Sequence, residues 1–182
     1  MANGELTARM ARKLSQNLEA RRFDILFDHG DSTTDPPDKL GEIVSWFGHK
    51  LKLDARLALL DIAVVSRVSD KALALIEIEE SSATPKVLLG DVLATLLGDR
   101  VTFQHNRDLK VGQWTTLIVL AHADKRGSKK SLVAFLDNQL NRLKDSLPTL
   151  NASIGRIIMD TFKDASELDA KLTQAVEEAL PK

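Results

Sequence analysis

Two runs of branched apolar residues, at 57–65 and 73–79, constrain the fold of this chain more than any other feature. Both runs are apolar at odd and at even positions, a pattern typical of strands that are buried on two faces. Ser69 and Asp70 form a turn signal between them, and the short separation favours a hairpin in which the two strands pair. The pattern therefore predicts a buried β-sheet within the core.

Acidic side chains interrupt both runs. Asp61 lies in the middle of the first run, and Glu77 and Glu79 lie in the second. Because alternate residues of a strand face the same way, Glu77 and Glu79 should share one face. Buried ionised carboxylates are costly unless they are paired or bound to a metal, and Mg²⁺ binds oxygen ligands of this kind. The pattern fits a metal site; the alternative is a strand at an edge or an end, with acids that face solvent or pair with Lys and Arg.

The rest of the chain alternates between helical and strand patterns. We expect one domain over 1–182, because 182 residues are too few for two ordinary domains. Its core should lie at about 36–122 and its C-terminal helices at 129–180. The fold class is predicted to be α/β, with a mixed sheet flanked by helices. The helices are predicted at 5–21, 36–50, 84–98, 129–147 and 166–180, and two further strands near 101–105 and 115–121.

Composition excludes several classes of site. The chain has no Cys, so it has no disulfide, thiolate zinc site or iron–sulfur cluster. The four His show no zinc-ligand spacing. No apolar run approaches the roughly 18 residues that a membrane span needs, so we expect a soluble, cytoplasmic protein without a membrane partner.

The formal net charge of −1 gives no general argument for nucleic-acid binding. Local basic groups are present, however, and they are candidates for contacts to DNA phosphates. They are Arg21, Arg22, Lys125, Arg126, Lys129 and Lys130. The alternative for the loop at 125–130 is a solvated turn ahead of a helix.

The segment that contains Leu60-Asp61 and Ile76-Glu77-Ile78-Glu79 resembles the PD-(D/E)XK nuclease superfamily in its Glu-x-Glu variant. The resemblance implies a restriction-endonuclease-like core in which Asp61 and Glu77 bind Mg²⁺ or Mn²⁺. Glu79 would stand where the family usually has Lys and would assist the attacking water or accept its proton. Glu42, on the helix expected at 36–50, would be an auxiliary acid. Lys86, in the first turn of the next helix, would supply the positive charge that Glu79 lacks.

The function implied by this resemblance is Mg²⁺-dependent hydrolysis of phosphodiester bonds in DNA. Cutting both strands would favour a two-fold homodimer, because two sites must face two backbones. The alternative is a catalytically inactive member of the same fold that acts as a binding or dimerisation module. The balanced charge and the Glu at position 79 favour that alternative.

Overall fold

The computed structural model describes residues 4–18, 22–47, 55–80, 84–98, 100–123, 128–146 and 154–181. Helices and strands are interspersed along these ranges. The helices are α1 (Glu5–Leu18), α2 (Pro85–Leu96), α3 (Ser128–Ser146) and α4 (Ala165–Ala179). The strands are β1 (Phe23–Phe27), β2 (Ile43–Trp46), β3 (Arg56–Leu60), β4 (Ile62–Ser66), β5 (Ala72–Glu79), β6 (Arg100–Phe103), β7 (Arg107–Leu109), β8 (Thr115–His122) and β9 (Ile154–Phe162).

Five of the strands form a mixed sheet in the order β1-β4-β5-β8-β9. The pairs β1–β4 and β4–β5 are antiparallel, whereas β5–β8 and β8–β9 are parallel. Parallel neighbours need long crossover connections, and α2 and α3 lie in the two connections concerned. The predicted α/β class, with a mixed sheet flanked by helices, is confirmed.

The other four strands form a smaller antiparallel sheet in the order β3-β2-β6-β7. The run at 57–65, predicted as one strand, is divided between the two sheets. β3 ends at Leu60 in the smaller sheet, and β4 begins at Ile62 in the larger one. Asp61 is the single residue at the bend between them. The acid that interrupts the apolar run therefore marks the point where the chain changes sheet.

The five-stranded sheet separates two apolar cores. On one face, α1 and α4 bury residues such as Met10, Leu14 and Leu172 against the sheet. On the other face, α2, α3 and the smaller sheet bury residues such as Val92 and Leu140. Each strand in the middle of the sheet is therefore covered on both sides, which explains why its sequence is apolar at both parities. In the described part of the chain, no helix combines the length and the apolar composition that crossing a membrane requires.

Side chains of α3 bond to the backbone of the edge strand β9. Asn141 donates from Nδ2 to the Ile157 carbonyl (3.0 Å) and accepts at Oδ1 from the Ile157 N–H (3.1 Å). One helical turn earlier, Asp137 accepts the N–H of Met159 at 2.9 Å. These bonds satisfy outward backbone groups that an edge strand would otherwise leave unpaired.

The helix predicted at 36–50 is wrong where the structure describes it, to residue 47. The backbone turns at Pro36, whose carbonyl accepts from the N–H groups of Lys39 and Leu40, and the chain then enters β2. The apolar spacing in this segment fits a helix, but Ile43 and Val44 are β-branched and favour a strand. β2 lies between β3 and β6, so its backbone is hydrogen-bonded on both sides.

The other predicted helices are confirmed as α1, α2, α3 and α4, and the predicted pairing of the two apolar runs is confirmed as β4–β5. The strands predicted near 101–105 and 115–121 are β6 and β8. β1, β7 and β9 were not predicted from the sequence. β1 and β7 are short, and β9 carries Gly155, Arg156 and Asp160 among its apolar residues, which obscures the alternation.

We expect Asn141→Leu to lower the free energy of unfolding by about 1–3 kcal/mol, because the N–H and carbonyl of Ile157 lose their partners. Urea unfolding followed by circular dichroism measures the change. Asn138→Leu is the matched control, since it makes the same substitution at an exposed position of α3 and should change stability by less than about 0.5 kcal/mol. Equal losses in the two variants would contradict the role assigned to Asn141.

Candidate metal centre

Three acids occupy one row across β1, β4 and β5. Phe27 pairs with Ile62, and Ile62 pairs with Ile76. Asp28 follows Phe27, Asp61 precedes Ile62, and Glu77 follows Ile76. The antiparallel register therefore brings these three side chains to adjacent positions on neighbouring strands.

Backbone hydrogen bonds hold Asp61 in this row. Its carbonyl accepts the N–H of Asp28 at 3.0 Å, and its own N–H donates to the carbonyl of Ile76 at 3.1 Å. The Oδ2 atom of Asp61 accepts the N–H of Ile78 at 2.6 Å. This hydrogen bond holds one carboxylate oxygen of Asp61 against β5. The side chain therefore links the bend between the two sheets to the larger sheet.

The row faces the core that contains α2. Ala63 and Leu75, which have the same strand parity as Asp61 and Glu77, both belong to that core. Glu79 shares this parity and lies one strand position further along the same face. Asp91 of α2 is close enough for its charge to raise the pKa of Glu77.

Asp61 has a strongly perturbed titration. Burial raises its pKa, and the charge of Asp28 raises it further, to about 7. The hydrogen bond from Ile78 and the charge of His29 oppose the shift without cancelling it. An acid with this pKa is about half ionised at neutral pH, so a nearby cation would change its charge readily.

Glu77 combines burial with an oxygen that has no hydrogen-bond partner among the described residues. Burial raises its pKa well above the ordinary value, and the charges of Asp61, Asp91 and Asp28 add to the shift. Its Oε2 atom is buried and has no hydrogen-bond partner among the described residues. A buried, unpartnered carboxylate oxygen beside other acids is costly, and a divalent cation is a group that offsets this cost.

Asp28 and His29 also lie at this centre, and they were not predicted from the sequence. His29 Nδ1 lies 2.5 Å from Asp28 Oδ1 and 3.8 Å from Asp61 Oδ1. Burial lowers the pKa of His29, but the hydrogen bond and charge of Asp28 and the charge of Asp61 outweigh it and raise the pKa overall. Recognising the apolar run at 23–27 as a strand would have placed Asp28 at a strand end beside Asp61.

The N-terminal end of α1 lies against the same region. Glu80, the residue after β5, accepts at Oε1 from the N–H of Thr7 at 3.2 Å and from its hydroxyl at 3.4 Å. Gly4 has a φ of +85° and approaches the ring of His29 so closely that a Cβ there would lie 2.2 Å from Cδ2. The start of α1 and the residue before it therefore contact Glu80 and His29, which are next in sequence to Glu79 and Asp28.

The other predicted site residues, Glu79, Glu42 and Lys86, lie in three different parts of the fold. Glu79 is half-buried beside Glu77, and its charge raises the pKa of Asp91 after the larger effect of burial. Glu42 precedes β2 on the smaller sheet, where it lies 3.2 Å from Arg56 and 3.1 Å from His105. Lys86 is exposed in the first turn of α2.

Among the basic residues predicted to contact DNA, the side chains of Arg22 and Lys130 are described, and they lie towards opposite ends of the sheet. Arg22 is exposed just before β1, whereas Asp28 follows the opposite end of that strand. Glu79, at the end of β5, pairs with Ala121, near the end of β8. Helix α3 follows β8 in the chain, and Lys130 is exposed at the start of that helix. Lys130 therefore lies towards the acidic end of the sheet. Arg21, Lys125 and Arg126 lie outside the described residues, and so does the side chain of Lys129, whose backbone is in the first turn of α3.

Comparison of the chain with protein-family models, with curated proteins and with solved structures finds no match. The resemblance to the PD-(D/E)XK superfamily therefore remains a prediction that rests on the motif residues.

Without divalent ions, we expect the free energy of unfolding to fall as the pH rises from about 4 to about 7. Asp61 keeps its proton in the folded state up to about pH 7 but loses it near pH 3.8 in the unfolded chain, so the folded state binds more protons over this window. Asp61→Asn keeps an acceptor for Ile78 and removes the charge. It should reduce this pH dependence by about 2–4 kcal/mol.

Urea unfolding at pH 4, 5.5 and 8 in the presence of a chelator measures the effect. Asp38→Asn is the control, because it makes the same substitution at an exposed position, and it should leave the pH dependence nearly unchanged. If Asp61→Asn leaves the pH dependence unchanged, the perturbed ionisation assigned to Asp61 is wrong.

Proposed function

We propose that this protein is a divalent-metal-dependent phosphodiesterase that hydrolyses DNA, with a restriction-endonuclease-like site at Asp61 and Glu77. The observation that carries the proposal is the buried, unpartnered Oε2 of Glu77 in the same row as Asp61. β5 and the bend before β4 supply one carboxylate each, and burial together with the charge of Asp28 raises the pKa of both groups.

The donor set fits Mg²⁺ or Mn²⁺, because both ions accept carboxylate oxygens. Asp61 and Glu77 would hold the ion. Asp61 would use Oδ1, because the hydrogen bond from Ile78 goes to Oδ2. When bound, such an ion polarises a phosphoryl oxygen and lowers the pKa of a bound water towards neutrality.

In this proposal, Glu79 acts on the attacking water. It is half-buried, shares the face of Glu77 and lies beyond it towards the end of β5. In the proposed reaction, the water oxygen forms a bond to phosphorus, the bond from phosphorus to the ester oxygen breaks, and Glu79 accepts the proton that the water loses. The leaving oxygen takes a proton from solvent.

Binding of a polyanion beside so many acids needs positive charge nearby. Lys130 lies towards the acidic end of the sheet and is exposed, so it is suited to a phosphate contact. The predicted basic residues at 125–129 precede it in sequence. Long-range attraction from the whole protein is absent at a net charge of −1, so we expect binding to depend on these local contacts.

A catalytically inactive binding or dimerisation module is the second candidate. The observation that favours it is the position of Lys86, which is exposed at the start of α2 rather than on β5 where the superfamily usually has its Lys. A module of this kind would have no need for a metal at Asp61 and Glu77, so metal binding separates the two candidates.

We expect Mg²⁺ or Mn²⁺ at about 100 times its dissociation constant to raise the Tm by about 5–10 °C, because the ion binds only the folded site. Asp61→Asn and Glu77→Gln should each abolish this stabilisation and the cleavage of plasmid DNA. Thermal unfolding with and without the metal, and gel analysis of the DNA, measure the two effects.

The Asp137→Asn variant controls for the loss of a partly buried acid elsewhere and should keep both responses. Stabilisation without cleavage of plasmid, single-stranded DNA or RNA would contradict the nuclease and leave a metal-binding protein. Absence of both responses in the unmodified protein would favour the binding module.

We expect Lys130→Glu to weaken DNA binding by the metal-loaded Glu79→Gln protein and to reduce the slope of log K against log salt by about 1. Fluorescence anisotropy with a labelled duplex measures both quantities. Lys110→Glu is the control, because it makes the same change at an exposed lysine at the opposite end of β5, where the Lys110 carbonyl accepts the N–H of Ala72. It should have little effect on DNA binding. A similar loss in both variants would show that Lys130 has no special place in the interface.

A further inference from the structure

Asp28, His29 and Asp61 offer three ligand atoms within a small volume. One carboxylate oxygen from each acid and a ring nitrogen of His29 all lie within 4.8 Å of one another. The Nδ1 atom of His29 is 2.5 Å from Asp28 and 3.8 Å from Asp61. This set differs from the Asp61 and Glu77 pair because it contains an imidazole.

An independent observation indicates that this cluster takes a cation. The buried Oε2 of Glu77 lacks a partner among the described residues, and the charges of Asp61 and Asp28 both act on that carboxylate. The unpartnered oxygen therefore belongs to the same concentration of negative charge as Asp28 and Asp61. A cation held by Asp28 and Asp61 would offset the negative charge that these two acids exert on Glu77.

The ring of His29 is held in place before any ion arrives. Asp28 hydrogen-bonds to Nδ1, and the backbone of Gly4 lies against Cδ2, where no side chain at position 4 would fit. An ion bound at Nδ1 would take the place of the proton in the bond to Asp28. About half of the His29 side chain remains exposed, at 46%, so an ion can approach from solvent. A ligand that is already oriented loses little conformational freedom on binding.

We propose that Asp28, His29 and Asp61 form a transition-metal site, and that His29 makes the protein select Mn²⁺ over Mg²⁺. Carboxylate oxygens accept either ion, but an imidazole nitrogen binds first-row transition metals much better than it binds Mg²⁺. The inference extends the proposed function through the shared residue Asp61. It concerns the identity of the ion and does not require that DNA be the substrate.

The test is a titration of the metal-free protein with Mn²⁺. The electron paramagnetic resonance signal of free Mn²⁺ reports how much of the ion is bound, and competition with Mg²⁺ compares the two affinities. The variants are His29→Ala and His29→Asn, of which the second keeps a hydrogen-bond donor towards Asp28. His105→Ala is the matched control, because His105 is also exposed and lies 3.1 Å from a carboxylate, that of Glu42. Circular dichroism verifies that each variant is folded.

We expect both His29 variants to lower the affinity for Mn²⁺ by about tenfold or more, as is typical when the groups around a metal site are removed. Their affinity for Mg²⁺ should be nearly unchanged, so the preference for Mn²⁺ falls. The His105 variant should behave like the unmodified protein. A loss of both ions in the same proportion, or no loss of Mn²⁺, would overturn the assignment of His29 as a ligand.

The outcomes separate this inference from the proposed function. Mn²⁺ binding that depends on His29, in a protein that cleaves no nucleic acid, supports the metal site and contradicts the nuclease. Metal-dependent cleavage that requires Asp61 and Glu77, with Mn²⁺ affinity unaffected by His29→Ala, supports the nuclease and contradicts the ligand role of His29.

Discussion

Repulsion among carboxylates at adjacent positions across three neighbouring strands is the constraint on which the proposed site depends. Asp28, Asp61 and Glu77 are aligned by the register of β1, β4 and β5, and the backbone bonds of the strands give them little freedom to separate. Only part of the resulting cost is offset within the described residues, by the Ile78 N–H at Asp61 and by His29 at Asp28. Chains do not ordinarily retain such an arrangement for stability alone, which is why we interpret it as a binding site.

The strand pattern made the centre of the fold predictable. The two runs at 57–65 and 73–79 are apolar at both parities because β4 and β5 lie inside a sheet covered on both faces, so their pairing and the proximity of Asp61 to Glu77 could be inferred. The change of sheet at Asp61 could not be inferred, since β3 and β4 have the same local composition. Only the pairing of β3 with β2, a long-range contact, separates them.

Predictions failed where a short segment depends on its neighbours. The apolar spacing at 36–50 suited a helix, yet β2 is stabilised as a strand by β3 on one side and β6 on the other. Five residues of β1 carry too little pattern to identify a strand, and Asp28 and His29 at its end were therefore not predicted. Glu77 and Glu79, on the longer strand β5, were found.

The two edges of the five-stranded sheet have a consequence for how partners can approach. Along β9, Asn141 and Asp137 occupy the outward backbone groups of Ile157 and Met159. Beside β1, the backbone of Phe27 bonds to Lys39 and Gly41. An incoming strand cannot bond to the backbone groups that are already occupied at these places, so extension of the five-stranded sheet is hindered there. A partner would accordingly approach this sheet through side chains on its helices and loops.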